Sequence, residues 1–110
     1  MINWTRVSEL QAEIGTEDFS EVVTLFLEEA DEVTARMRAG IPAADREIAL
    51  HFLKGSALNL GFIDLAMICQ DGEKAAAAGH ANLVEMDAVL TAYETAKKYF
   101  LAGLKRNSAA

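Results

Sequence analysis

Apolar residues recur at every third or fourth position through long stretches of this chain, and Gly15, Gly40, Gly61 and Gly79 each close one such stretch. That spacing is the helical period, and no segment shows the strict alternation of a half-buried strand. Pro42 is the only proline, so nothing inside the periodic stretches breaks them. The chain is therefore expected to be all-α.

Trp4, Val7, Leu10 and Ile14 make a short stripe, stopped by Gly15. Thr16 reads as the N-cap of a second helix, with Glu17 and Asp18 at the positive end of its dipole. Phe19, Val22, Val23, Phe26, Ala30, Val33 and Met37 then form an apolar face. Glu21, Glu28, Asp31 and Glu32 lie on its other side, and Arg36 and Arg38 in its last turn. Pro42 suits the first turn of a third helix, where its missing N–H loses no partner. That helix runs to about Asn59, with Gly61 as a left-handed stop. Leu65, Cys69, Gly72 and Ala76 make the stripe of a fourth, ending at Gly79. Asn82 with Glu85 reads as a capping box opening a fifth, whose stripe is Met86, Val89, Leu90, Tyr93, Ala96, Phe100 and Leu104. Short connections between long amphipathic helices predict an antiparallel up-down four-helix bundle over residues 16–104. A short extra N-terminal helix over 1–15, pinned by Trp4, lies across one end. A frayed tail over 105–110 completes a single domain, 1–110.

Hydrophobic residues make up 52% of the chain, enough for one core without disulfides or metals. The net charge of −7 argues against nucleic acid or anionic membrane as partner, since both need a basic footprint. Cys69 is the only cysteine, which excludes an internal disulfide and a thiolate zinc cluster. Its place on a core stripe makes it a small buried hydrophobe. No apolar run reaches membrane length, and "MINWTRVSEL" lacks a signal peptide's apolar stretch, so the expected address is cytoplasmic. The inward faces are apolar, so no metal site and no cofactor are expected. His80 follows a helix-ending glycine and reads as a loop residue.

The third helix carries the chemistry. At 100° per residue, Ala49, Leu53, Ala57 and Leu60 gather opposite His51, with Leu50 and Ser56 at the margins. His51 therefore faces solvent, sharing its side with Glu47, Lys54, Gly55 and Leu58, with Ile48 close by. A surface histidine alone is usually only solvated, and a mid-helix glycine usually marks helix packing. Here the glycine is on the outer side, one turn from the imidazole, where it leaves room for a phosphoryl group or another protein's backbone. Lys54 is within reach of an anion on the ring. A neutral imidazole is a usable nucleophile near neutral pH. Glu47, Ile48, Phe52 and Leu58 around it read as a docking patch.

The stretch His51 to Gly61, "HFLKGSALNLG", resembles the signature of histidine-containing phosphotransfer (HPt) domains: a His, a Lys three later, a Gly four later, a small residue, and a Gly ten after the His. "FLEEADEVTARMRAG" resembles the acidic helix that precedes it in the family, and Leu65 with Cys69 the helix that follows. The resemblance implies a four-helix bundle whose histidine takes a phosphoryl group from a receiver-domain aspartate and passes it to a response-regulator aspartate. Carried over, His51 is the phosphorylation site, Lys54 steadies the phosphoryl charge and Gly55 is the clearance position. Ser56 fits the pattern but is turned toward the core, so it is assigned packing. Phe52 is bulkier than the residue often found after the histidine.

No nucleotide-binding loop is present, so the chain reads as a phosphoryl carrier rather than an enzyme. Its expected partners are receiver domains of response regulators and hybrid kinases, which bring Mg²⁺, and it is expected to be monomeric. Two other readings stay open. One is a non-catalytic interaction module binding receiver or kinase domains, against which the retained His51 counts. The other is the phosphorylatable domain of a chemotaxis-type kinase, against which the Met1 start and plain tail favour a free-standing protein.

Overall fold

The computed structural model describes residues 1–109, with side chains as far as Arg106. Five α-helices follow one another: α1 (Trp4–Ile14), α2 (Thr16–Ala39), α3 (Ala43–Leu60), α4 (Ile63–Ala77) and α5 (Met86–Ala109). A single 3-10 turn, Ala81–Leu83, links the last two. Among the described residues the only strand-like pairing is an isolated bridge between Ile2 and Phe62. The chain is all-helical, as its period predicts.

The packing partners are α2 with α3, α3 with α4, α4 with α5 and α5 with α2, while α1 touches α2 and α3. They enclose one core in which Leu50, Leu53, Leu60, Leu65, Cys69, Val89, Tyr93 and Phe100 are all but inaccessible. Two residues of α2 that the stripe omits, Leu27 and Thr34, are also buried. Thr34 satisfies its hydroxyl by donating to the Ala30 carbonyl at 2.9 Å. On α3, Leu50 and Ser56 lie well inside rather than at the margin, and Ala49 is half-buried. The stripe is thus rotated slightly from the ideal wheel.

Helix ends depart from sequence expectation where the backbone does the capping. Thr16 is the first residue of α2 rather than its cap; Gly15, at φ 98°, holds that position without a side-chain bond. The side-chain cap falls instead on α1, where Asn3 Oδ1 accepts the Arg6 N–H at 3.2 Å. Asn82 lies in the 3-10 turn, so no capping box forms, and α5 starts from the Glu85 carbonyl, which accepts the Ala88 and Val89 N–H groups at 3.1 and 3.3 Å. Pro42 stands immediately before α3. Gly61 is left-handed as expected, at φ 75° and ψ 24°. A Cβ there would also come within 2.6 Å of the Asn3 carbonyl oxygen, because the N-terminal segment pairs against this turn. The tail expected over 105–110 is helical as far as Ala109, and Ala110 lies outside the described residues.

Trp4 fastens α1 by stacking on Phe100 of α5, with ring centroids 5.9 Å apart and planes 11° from parallel. Asp31, expected on the outer face of α2, instead ties α2 to α5. Both of its oxygens accept from the Lys97 ammonium, at 2.9 and 2.8 Å, and Oδ1 also accepts from the Tyr93 hydroxyl at 2.6 Å. Burial opposes ionisation of Asp31, but the Lys97 and Tyr93 hydrogen bonds outweigh it and hold the carboxyl below its ordinary 3.8. Such a group contributes stability above its unfolded value and loses it as pH falls through the lower folded value. Below about pH 4, an Asp31→Asn variant should therefore show a flatter fall in stability than the parent in chemical denaturation at a series of pH values.

Candidate functional site

The site is built on α3 and completed by α4. Because Leu50, Leu53, Ala57 and Leu60 point inward, His51 is carried to the opposite side, where its side chain is 70% exposed. Gly72 of α4 sits against α3: a Cβ there would lie 3.0 Å from Leu50 Cδ1 and 3.2 Å from Val84 Cγ1. This close approach brings the next residue, Glu73, to the outer edge of α3. Its Oε2 lies 2.7 Å from His51 Nδ1, and its Oε1 lies 2.7 Å from the Lys54 ammonium. One carboxylate thus spans both candidate residues.

Glu73 belongs to no motif of the sequence. It stands 22 residues beyond His51, on another helix, in an ordinary polar run. Only the side-by-side packing of α3 and α4 makes it a neighbour. The glycine at 72 is the one local signal of that approach.

The electrostatics follow from the pairing. The Lys54 ammonium paired with it, joined by the His51 hydrogen bond, holds the Glu73 carboxyl below its ordinary range although burial pushes the other way. Glu73 is therefore ionised at neutral pH and can only accept. In a neutral imidazole the proton must then reside on Nδ1, and Nε2 carries the free lone pair. Lys54 is not a free cation: its ammonium is engaged with Glu73 and its side chain is mostly covered. Beneath them, burial pushes the Cys69 thiol up to about 12, with the Glu73 charge adding to it, so sulfur stays protonated and unreactive.

Gly55 is half-buried, and a Cβ added there would meet nothing within 4 Å. No packing among the described residues requires a glycine at this place. Ser56 is buried. The four residues read as a docking patch are all exposed on α3. Ile48, 72% exposed, and Phe52, 41% exposed, flank a groove between α2 and α3 with Val33, Arg36 and Ile41. Leu58, 57% exposed, borders a separate cleft on the α4 side with Ile63, Met67 and Arg6. Glu47 is exposed and lines neither. His51 stands between the two. His80 is exposed and lies just before the 3-10 turn.

Among the described residues no group of three or more His, Cys, Asp or Glu is arranged to hold a metal ion. No described helix is long and apolar enough to cross a membrane. Compared with known families, residues 21–99 match the family model of the Hpt domain. No curated protein matches the chain, and no solved structure does.

Proposed function

The chain belongs to the Hpt domain family, and on that premise we propose that it is a phosphorelay carrier whose His51 takes a phosphoryl group from one receiver-domain aspartate and delivers it to another. Hpt domains are phosphocarrier modules rather than enzymes. The observation that carries the reading is the solvated imidazole with Nδ1 engaged by Glu73 and Nε2 left free.

The proposed step is an in-line displacement. The Nε2 lone pair forms the bond to phosphorus as the aspartyl oxygen leaves with its electron pair, and the reverse step passes the group on. The Nδ1 proton stays in place throughout. As the N–P bond forms the ring becomes cationic, and the Glu73 carboxylate offsets that charge where it develops. The Lys54 ammonium, held on Glu73 in the free protein, moves to a phosphoryl oxygen. The open space at Gly55 admits the partner's backbone. Mg²⁺ is expected on the receiver rather than on this chain. With the partner supplying most of the charge neutralisation, this chain contributes positioning.

The rest of the reading is consistent with this role. The cyclic packing of α2, α3, α4 and α5 supports an antiparallel up-down four-helix bundle with α1 across one end, forming one domain. A monomer in the cytoplasm, free of nucleic acid and membrane, suits a carrier between response-regulator and hybrid-kinase receivers. The two apolar grooves flanking His51 are proposed as docking ground, with Ile48 and Phe52 on one side and Leu58 on the other.

Incubation with a phosphorylated receiver domain tests the proposal: the chain should acquire an acid-labile, alkali-stable label, as a phosphoramidate does, and absence of such label across receivers contradicts it. Glu73→Gln gives a finer test. The amide keeps an acceptor for Nδ1–H but removes the charge, reducing a charge-assisted hydrogen bond to a neutral one. The difference of about 1.4 kcal/mol corresponds to a roughly ten-fold slower single-turnover uptake. An unchanged rate removes Glu73 from the mechanism.

A further inference from the structure

We infer that Arg6 and Asn59 brace the Gly55 turn of α3, holding Lys54 and His51 in register, so that α1 is a supporting part of the phosphotransfer site. The link to transfer rests on the function proposed above; the brace itself does not.

Gly55 is the weakest point of α3. Glycine is the least helix-favouring residue after proline, and here it has no side-chain contact to compensate. Asn59, one turn on, supplies what is missing: its Nδ2 donates to the Gly55 carbonyl at 3.0 Å. The other end of the same amide is held from α1, where Arg6 Nη2 donates to Asn59 Oδ1 at 3.3 Å. Arg6 is itself fixed, with Nη1 on Glu13 at 2.9 Å and its backbone N–H capped by Asn3. The Asn3 N–H in turn donates to the Gly61 carbonyl at 2.7 Å, tying the start of α1 to the end of α3.

The donor and acceptor chemistry fixes the amide orientation. A guanidinium only donates and a backbone carbonyl only accepts, so the residue between them must do both. Aspartate at 59 would satisfy Arg6 but confront the Gly55 carbonyl with a second acceptor. Arg6 lies outside the part of the chain that matches the Hpt family model, residues 21–99, whereas Asn59 lies inside it. The brace therefore joins this chain's N-terminal helix to the family motif. Arg6 and Asn59 are positioning residues and are assigned no contact with phosphate.

Amide hydrogen exchange of the unphosphorylated full chain is the direct test. Asn59→Ala, Asn59→Asp and Arg6→Ala should each speed exchange at residues 55–59 by about five-fold, the worth of one net hydrogen bond. Adding Gly55→Ala to Asn59→Ala should restore slow exchange, because alanine supplies the helix preference that the brace replaces. Transfer to the single variants should be slower at saturating receiver, with the half-saturating receiver concentration unchanged. Parental exchange at 55–59 in Asn59→Ala, or failure of Gly55→Ala to restore it, overturns the brace. Faster exchange with an unchanged saturating rate overturns its role in positioning. If the parent takes up no phosphoryl group at all, the carrier reading fails while the exchange result stands.

Discussion

A chain carrying His51→Gln is expected to take up no phosphoryl group from a charged receiver and to keep its fold. The two halves of that expectation have separate causes. The loss is complete because the neighbours are not nucleophiles at neutral pH. Lys54 is an ammonium bound to a carboxylate, Ser56 is buried, and the Cys69 thiol is buried and stays protonated. The fold survives because the ring is 70% exposed and its one side-chain hydrogen bond among the described residues is that to Glu73 at the surface. Removing it leaves no cavity, and surface substitutions of this kind change stability by about 0.5 kcal/mol or less. Circular dichroism and thermal unfolding should therefore overlay those of the parent. Retained label in this variant places the acceptor elsewhere.

The largest effect on stability is expected at Gly103, which faces Trp4 across the α1–α5 contact. A Cβ on residue 103 would lie 2.1 Å from Trp4 Cζ2 and 2.3 Å from Cη2, well inside van der Waals contact. The indole is stacked on Phe100 and cannot shift without giving up that face. Gly103→Ala should thus expel Trp4 from its slot. Overpacking typically costs about 1–3 kcal/mol, and loss of a fully buried tryptophan about 3–5 kcal/mol, an upper bound here because Trp4 is half-buried. We expect about 2–4 kcal/mol, a fall in Tm on the order of 10–20 °C for a domain of this size. A double-mutant cycle isolates the cause. In a Trp4→Ala background the same Gly103→Ala change should be neutral or slightly stabilising, because alanine favours helix and the clash is gone. Equal losses in both backgrounds contradict this account of the slot.

The contrast between what the sequence discloses and what it conceals follows the reach of each interaction. The outward direction of His51 is a property of one helix, so the placing of Leu53 and Leu60 on the far side already determines it. The left-handed Gly61 and the buried Cys69 are legible for the same reason. Thr16 and Asn82 mislead because a capping residue signals a possible helix start, whereas the actual start is decided by where neighbouring helices need the chain to turn. Asp31 looks like one more solvated acid of α2 until α5 brings Lys97 and Tyr93 against it. Glu73, Asn59 with Arg6, and Gly103 with Trp4 are likewise pairings between helices. Apart from Gly72 beside Glu73 and the anchoring role legible in Trp4, nothing in a single segment announces these pairings.

The most direct test of the central claim is nitrogen and phosphorus NMR of the labelled chain after charging by a phosphorylated receiver. Phosphorus coupled to Nε2 of His51, with the Nδ1 proton retained, is the predicted result. Phosphorus on Nδ1, or on any residue other than His51, contradicts it.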